Sequence, residues 1–119
     1  MNVTWIKCGT DNHWCSLERL DLGSFGDPVG VYMIWHEGKD GRPGRVVRLG
    51  QGDIKDRLGD HRTDKEILAY RWQGTLRVTW AEVPDQYLDA VERYLANTWP
   101  PLVGSVFPNV LPLAVNSPW

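Results

Sequence analysis

Two apolar runs joined by a glycine-rich loop constrain the fold of this chain more than any other feature. The runs, residues 29–35 and 45–49, have the composition of β-strands, and the loop between them is rich in Gly, Lys, Asp and Pro. This pattern predicts a β-hairpin with a long turn. The first run is almost continuously apolar, so we expect its strand to be buried on both faces.

A short amphipathic helix is predicted directly after the hairpin, over residues 53–61. Asp53 is suited to cap its N-terminus, and one face carries four residues at spacings of three and four: Ile54, Arg57, Leu58 and His61. A face turned toward a core normally carries apolar residues. Here a guanidinium and an imidazole hold half of the positions, which makes Arg57 and His61 candidate functional residues.

The rest of the chain completes an α+β pattern. Thr63 or Asp64 can cap a second helix ending near residue 69, and residues 75–83 alternate like a third strand. Pro84 then precedes the longest helix, residues 85–98. We expect a small three-stranded antiparallel sheet flanked by helices.

Two flanking segments accompany the predicted domain, residues 29–119. Residues 1–28 are predicted to form an arm packed on it, with a short helix over residues 16–22. The apolar end of the chain, residues 100–119, holds five of the eight prolines, so we expect an extended tail wrapped over the domain.

The two cysteines of the arm allow three interpretations. Cys8 and Cys15 flank His13, but a zinc site would need a fourth ligand from elsewhere. A disulfide is sterically possible and disfavoured in a reducing cytosol. Two small buried thiols are the favoured interpretation.

Composition places few limits on function. Apolar content is 42%, charged content is 24%, and no run approaches the roughly 20 apolar residues that span a bilayer. The start of the chain lacks the apolar region of a secretion signal, so we expect a cytoplasmic protein without membrane contact. Net charge is −2, but residues 39–71 carry nine Lys and Arg against six acids, a balance of +3. This region suits phosphate contacts or ordinary solvated surface.

Glu92 is the unusual acid of the longest helix. Leu88, Val91, Leu95 and Trp99 share one face, and at about 100° per residue Glu92 lies only about 40° from that stripe. A buried carboxylate is costly unless it is paired or binds a cation. Glu92 is therefore predicted either to form an ion pair with Arg57 or Arg48 or to serve a site.

Taken in order, these residues resemble the signature of the GIY-YIG nucleases. Gly30, Val31 and Tyr32 match the first triplet, whereas Arg48, Leu49 and Gly50 match the second only at its aliphatic residue and glycine. Arg57 and His61 stand where the family has an Arg and a His on one helix. The resemblance extends to Glu92 and covers most of residues 28–119.

The resemblance implies a metal-dependent endonuclease that hydrolyses phosphodiester bonds, with DNA as the expected substrate. Glu92 would hold one Mg²⁺ or Mn²⁺, and Arg57 would bind a phosphate oxygen. Tyr32 would be the general base or orient the nucleophile, and His61 would share the proton transfer, hold Tyr32 or hold the phosphate. Arg48, where the family has a second Tyr, would hold the phosphate or lower the pKa of Tyr32.

Three further residues are candidate substrate contacts. Gln51 and Lys55 lie near the same corner and are otherwise surface residues. The family has an Asn after the Glu helix, and either Asn109 or Asn116 matches it, with Asn116 preferred.

Two other functions compete with the nuclease. One is an inactive GIY-YIG-like module that binds nucleic acid or a protein, which the replacement at Arg48 favours. The other is an interaction module based on the seven tryptophans, for which exposure of Trp72 or Trp119 would be the sign. A nuclease this small would need a homodimer or a protein partner for high sequence specificity.

Overall fold

The protein has an α+β fold organised around an antiparallel sheet. The structure is a computed structural model that describes residues 1–9 and 13–119, and within them it contains a four-stranded sheet of order β1-β4-β2-β3. The strands are β1 (Cys15–Ser16), β2 (Val29–His36), β3 (Arg45–Asp53) and β4 (Leu76–Glu82). The helices are α1 (Ile54–His61), α2 (Lys65–Leu68) and α3 (Leu88–Thr98), with 3-10 turns at Leu22–Ser24, Ala69–Gln73 and Asp85–Tyr87.

β2 is the central strand of the domain. It pairs with β3 on one side and β4 on the other, and its side chains from Val31 to Trp35 are all buried. The expected burial on both faces is therefore confirmed. The hairpin register shifts by one residue between Ile34, opposite Arg48, and Trp35, opposite Val46. This β-bulge leaves Val47 as the extra residue of β3.

Each face of the sheet carries its own core cluster. On the first face, Tyr32 and Ile34 pack with Ile54 and Leu58 of α1 and with Ile67 of α2. On the second face, the alternate residues of β2 pack against the apolar stripe of α3. The domain therefore has three layers, with the sheet between two layers of helices. At the β3 edge of the sheet, side chains from both helical layers can reach one site.

The prediction of three strands is wrong, because the arm adds a fourth. Cys15 pairs with Val78 and Ser16 with Arg77, so β1 extends the sheet beyond β4. A strand of two residues is too short to show an alternating pattern in the sequence.

The predicted arm helix over residues 16–22 is also not formed. Leu17 and Leu20 are buried three residues apart, which resembles a helical stripe. However, the Leu17 N–H donates to the Leu76 carbonyl, and the Arg62 guanidinium donates to the carbonyls of Leu17 and Leu20. These long-range partners replace the bonds of a helix, an example of tertiary contacts overriding local propensity.

The expectation of free thiols is wrong as well. Cys8 and Cys15 form a disulfide that joins the start of the arm to β1. The bridge spans seven positions of sequence.

After α3 the chain continues without helix or strand, over residues 99–119. The N–H groups of Leu102 and Val103 donate to Val46 and Val47 at the outer edge of β3. The Leu113 N–H then donates to Ala90 of α3, and Val115 is buried on the second face. Across the described positions, no helix has the length and apolar character required to traverse a lipid bilayer.

Candidate active site

Tyr32 lies at the centre of the candidate site. It is only 2% exposed and stands opposite Gly50 in the hairpin register. A Cβ at Gly50 would lie 2.8 Å from Cζ of the Tyr32 ring and closer still to its hydroxyl oxygen. Glycine at position 50 therefore makes the space that the tyrosine ring occupies.

α1 brings His61 to the Tyr32 hydroxyl. The helix begins after Asp53, whose side chain accepts a hydrogen bond from the Asp56 N–H, as its predicted role as N-cap requires. Buried Ile54 and Leu58 fix the helix on the sheet. His61 Nε2 then lies 2.5 Å from the Tyr32 hydroxyl oxygen.

Burial keeps this pair neutral. It lowers the pKa of His61 to about 4, and the charge of Arg48 acts in the same direction. It also raises the pKa of Tyr32, although Arg48 and Arg57 partly offset that rise. At neutral pH a protonated phenol therefore faces an uncharged imidazole, and the tautomer of His61 decides which of the two donates.

Two arginines reach the same place from different elements. Arg48 projects from β3 beneath Gly104, where a Cβ would come within 2.6 Å of its guanidinium nitrogen Nη1. Gly104 has a φ of +92°, a conformation that glycine adopts readily. Arg57 of α1 is solvent-exposed and lies along Gly52. No hydrogen-bond partner for Arg48 Nε occurs among the residues described.

Glu92 reaches the site from the opposite face of the sheet. It is 9% exposed, so its predicted direction toward the core is confirmed. The Gln51 side-chain amide donates to Glu92 Oε2 and to Asp89 Oδ1, both at 2.7 Å. Burial raises the pKa of Glu92, the Gln51 hydrogen bond opposes this, and Asp89 adds to it. Within residues 1–9 and 13–119, Glu92 forms no ion pair with Arg57 or Arg48.

These side chains line one cavity of about 440 Å³ at the β3 edge of the sheet. Its wall combines residues from both faces with the loop after α3: Tyr32, Arg48, Leu49, Gly50, Gln51, Arg57, Glu92 and residues 104–107. The structure thus brings together Tyr32, Arg48, Arg57, Glu92 and Gln51, with His61 directly behind Tyr32.

Two predicted contacts do not line this cavity. Lys55 lies half-buried on α1, outside the wall. Asn116 joins the two ends of the chain: its Oδ1 accepts from the Val3 N–H at 2.7 Å, and its Nδ2 donates to the Val3 carbonyl at 2.9 Å. A structural role therefore accounts for the polar atoms of Asn116.

Sequence reasoning did not single out Asp89, an exposed residue of α3 that accepts a hydrogen bond from the Gln51 amide. Asp89 stands three positions before Glu92, and residues at that spacing are neighbours on a helix surface. This three-residue spacing was the only sign in the sequence that Asp89 lies near Glu92. It became informative only with the position of Gln51 between the two carboxylates.

The donor set suits a hard divalent cation. No group of three or more His, Cys, Asp or Glu side chains in metal-binding geometry occurs within the described positions. Mg²⁺, however, usually takes one or two carboxylates and keeps several of its waters. Glu92 supplies such an oxygen in the wall of the cavity, and Asp89, outside that wall, is joined to it through the Gln51 amide.

A second cavity, of about 630 Å³, lies at the other end of the sheet and is mostly aromatic. Trp14, Trp35, Trp99 and Trp119 line it, and three of their contacts are edge-to-face with ring centroids 4.9–5.5 Å apart. Trp119 is 50% exposed.

Comparison of the chain with models of protein families, with curated proteins and with solved structures finds no match.

Proposed function

We propose that the protein is a metal-dependent endonuclease of the GIY-YIG type that hydrolyses phosphodiester bonds in nucleic acid. One observation carries the proposal: Tyr32, Arg57 and Glu92, which come from three different elements, line a single cavity, and His61 is bonded to the Tyr32 hydroxyl. Each residue type matches one requirement of phosphodiester hydrolysis, namely a positioned water, a phosphate clamp and a cation site.

The arginines are assigned to the phosphate. The exposed fork of Arg57 can donate two hydrogen bonds to phosphate oxygens as substrate arrives. Arg48 lies beneath Gly104, where its guanidinium stabilises negative charge that develops on the same group. This role does not require a second tyrosine at position 48.

The Tyr32–His61 pair is assigned to the attacking water. With its Nε2 as acceptor, neutral His61 fixes the Tyr32 O–H, so the lone pairs of the phenol oxygen can orient a water toward phosphorus. Because the pKa of His61 is about 4, the imidazole is a weak base at pH 7. Its role is therefore to hold Tyr32, one of the three alternatives that the sequence left open.

Mg²⁺ or Mn²⁺ would be held by Glu92 with help from Asp89. When bound, the ion would supply Lewis-acid activation of the phosphodiester. Gln51 would keep both carboxylates in place through its amide N–H groups.

Incubation of the protein with labelled single-stranded, duplex and branched DNA, and with RNA, tests the proposal. We expect cleavage in Mg²⁺ or Mn²⁺ and none in chelator. No cleavage of any substrate with either ion would contradict it.

The second candidate is an inactive module of the same type that binds nucleic acid or a protein partner. Arg48 in place of a second tyrosine is the observation that favours it. Titration would select this function if the protein bound substrate tightly and left it intact with every divalent ion. A cytoplasmic location, DNA as the substrate and a dimer or partner for specificity remain predictions.

A further inference from the structure

A polar cavity of about 280 Å³ lies at the far end of the β2–β3 hairpin, outside the candidate active site. It is lined by His36, Lys39, Asp40, Arg42, Trp72 and Gln73. The first four belong to the hairpin, and the last two belong to the 3-10 turn Ala69–Gln73.

The hairpin loop and the turn are held against each other by their backbones. The Glu37 N–H donates to the Thr75 carbonyl at 3.1 Å. A Cβ at Gly74 would lie only 2.5 Å from the Gly38 nitrogen and 2.6 Å from the Gly38 oxygen. The two segments therefore form one unit, and Trp72 has a defined position beside the loop.

His36 presents a buried hydrogen-bond donor that has no partner. It is 2% exposed, and its Nδ1 accepts from the Gly38 N–H at 3.1 Å. A neutral imidazole whose Nδ1 accepts carries its proton on Nε2. Within the described parts of the chain, Nε2 has no hydrogen-bond partner. Burial, with help from the charge of Arg45, lowers the pKa of His36 and favours the neutral ring.

His36 belongs to the cavity wall, and its Nε2 atom is enclosed by the protein. The His36 ring is also fixed by stacking on Tyr70, at a centroid distance of 6.3 Å and an interplanar angle of 5°.

The cavity also offers an aromatic face and two cations. Trp72 is 69% exposed, with the Arg71 guanidinium 5.3 Å from its ring. Lys39 and Arg42 are exposed, and neither side chain forms a hydrogen bond or ion pair with residues 1–9 or 13–119. Asp40 leaves a net charge of +1 on these three groups, so phosphate attraction is modest and an aromatic contact must supply much of the affinity.

We propose that this cavity binds one unstacked nucleotide of single-stranded DNA or RNA. The base stacks on Trp72, which is 69% exposed, and the adjoining phosphate lies beside Lys39 and Arg42. The inference rests on the proposed function in one respect, that the substrate is nucleic acid. His36 and Tyr32 are four residues apart on β2, which is roughly 13 Å. The cavity would thus hold the nucleic-acid strand a few nucleotides from the cleaved bond.

Fluorescence anisotropy in chelator, where no cleavage occurs, tests this inference. The probes are labelled oligonucleotides of eight deoxythymidines or eight uridines, an abasic strand of equal length and a blunt duplex. We expect Trp72→Ala to weaken binding of the two single-stranded probes about tenfold and Trp72→Phe to retain most of it, because bases stack on any aromatic face. Arg19→Ala, which removes an exposed cation outside the cavity, should leave binding unchanged.

The abasic strand and the duplex provide the matched controls. Both should bind more weakly than the single-stranded probes and should be insensitive to Trp72→Ala, since neither offers an unstacked base along its length. A Trp72-dependent loss with only one sugar type assigns the site to that nucleic acid.

The inference is overturned if Trp72→Ala binds both single-stranded probes as tightly as the parent, or if the parent binds neither. A parent that cleaves substrate while Trp72→Ala binds normally would overturn the inference alone. A parent that shows Trp72-dependent binding but never cleaves would overturn the nuclease alone.

Discussion

At the scale of single residues, burial dominates the chemistry of the site. For Tyr32, His61 and Glu92 the largest influence on the pKa is loss of water, and it favours the neutral form each time. The charges of Arg48 and Arg57 oppose this for Tyr32 and Glu92 but reinforce it for His61. A cation that enters the cavity would favour the ionised forms of the Glu92 carboxylate and the Tyr32 phenol. Ionised Glu92 would in turn bind the cation more tightly.

His61 should make stability depend on acidity. Its pKa is about 4 in the folded protein against an ordinary 6.5, so the unfolded chain binds the proton first as pH falls. The stabilisation is full above about pH 6.5 and is lost toward pH 4, by about 3 kcal/mol in total. Urea unfolding of the parent and His61→Asn at several pH values measures this.

The difference between the two proteins is the informative quantity, because Glu92 is present in both and its raised pKa gives the opposite trend. We expect that difference to shrink steadily between pH 6.5 and pH 4. A constant difference would show that His61 is not buried in its neutral form.

Gly50 should tolerate no side chain. In Gly50→Ala the new methyl group would overlap the Tyr32 ring, lowering the free energy of unfolding by about 1–3 kcal/mol. Gly26→Ala is the matched control, since nothing lies within 4 Å of a Cβ there. Equal urea midpoints for the two variants would contradict the close approach of Tyr32 to Gly50.

At the scale of elements, the arm belongs to the core. Leu17 is fully buried in the cluster beneath α1 and α2, and the Thr79 hydroxyl donates to the Ile6 carbonyl at 2.7 Å. The Cys8–Cys15 disulfide fixes the start of this arm next to β1. Such bridges persist in oxidising compartments and are rare in the cytosol.

Reduction of the disulfide should destabilise the protein. A bridge across seven positions is worth about 2 kcal/mol, because it restricts a short loop of the unfolded chain. Urea unfolding with and without reductant gives the difference. A double variant, Cys8→Ser with Cys15→Ser, should not respond to reductant. A parent with equal stability in both conditions would contradict a contribution from the bridge.

The sequence predicted elements that carry a long periodic signal. Three features could be predicted because the hydrophobic periodicity and the capping residues agree there. They are the hairpin, the helix after Asp53 and the apolar stripe of α3 that directs Glu92 inward. β1 and the fold of the arm were not, since their hydrogen bonds go to Leu76 and Arg62, far away in sequence. Gln51 was identified as a contact, but its bonds to Asp89 and Glu92 depend on how α3 crosses β3.

At the scale of the whole molecule, the site depends on an edge strand left partly open. The tail covers the outer edge of β3 at Val46 and Val47 and then departs at Gly104, next to Arg48. The cavity occupies the uncovered part, where Tyr32 from one layer and Glu92 from the other can meet. Asn116 secures the returning tail to Val3 and so joins the two ends of the chain.

The most direct test of the central claim is the initial nicking rate of supercoiled DNA in Mg²⁺ or Mn²⁺. The proteins compared are the parent, Arg57→Ala, Glu92→Gln and Asp85→Asn. Asp85→Asn is the control, because it removes an exposed acid just before α3. We expect the parent and Asp85→Asn to nick equally and the other two to lose at least about 100-fold, as loss of transition-state charge stabilisation predicts. Equal rates for Glu92→Gln and the parent would contradict the claim that these residues form one hydrolytic site.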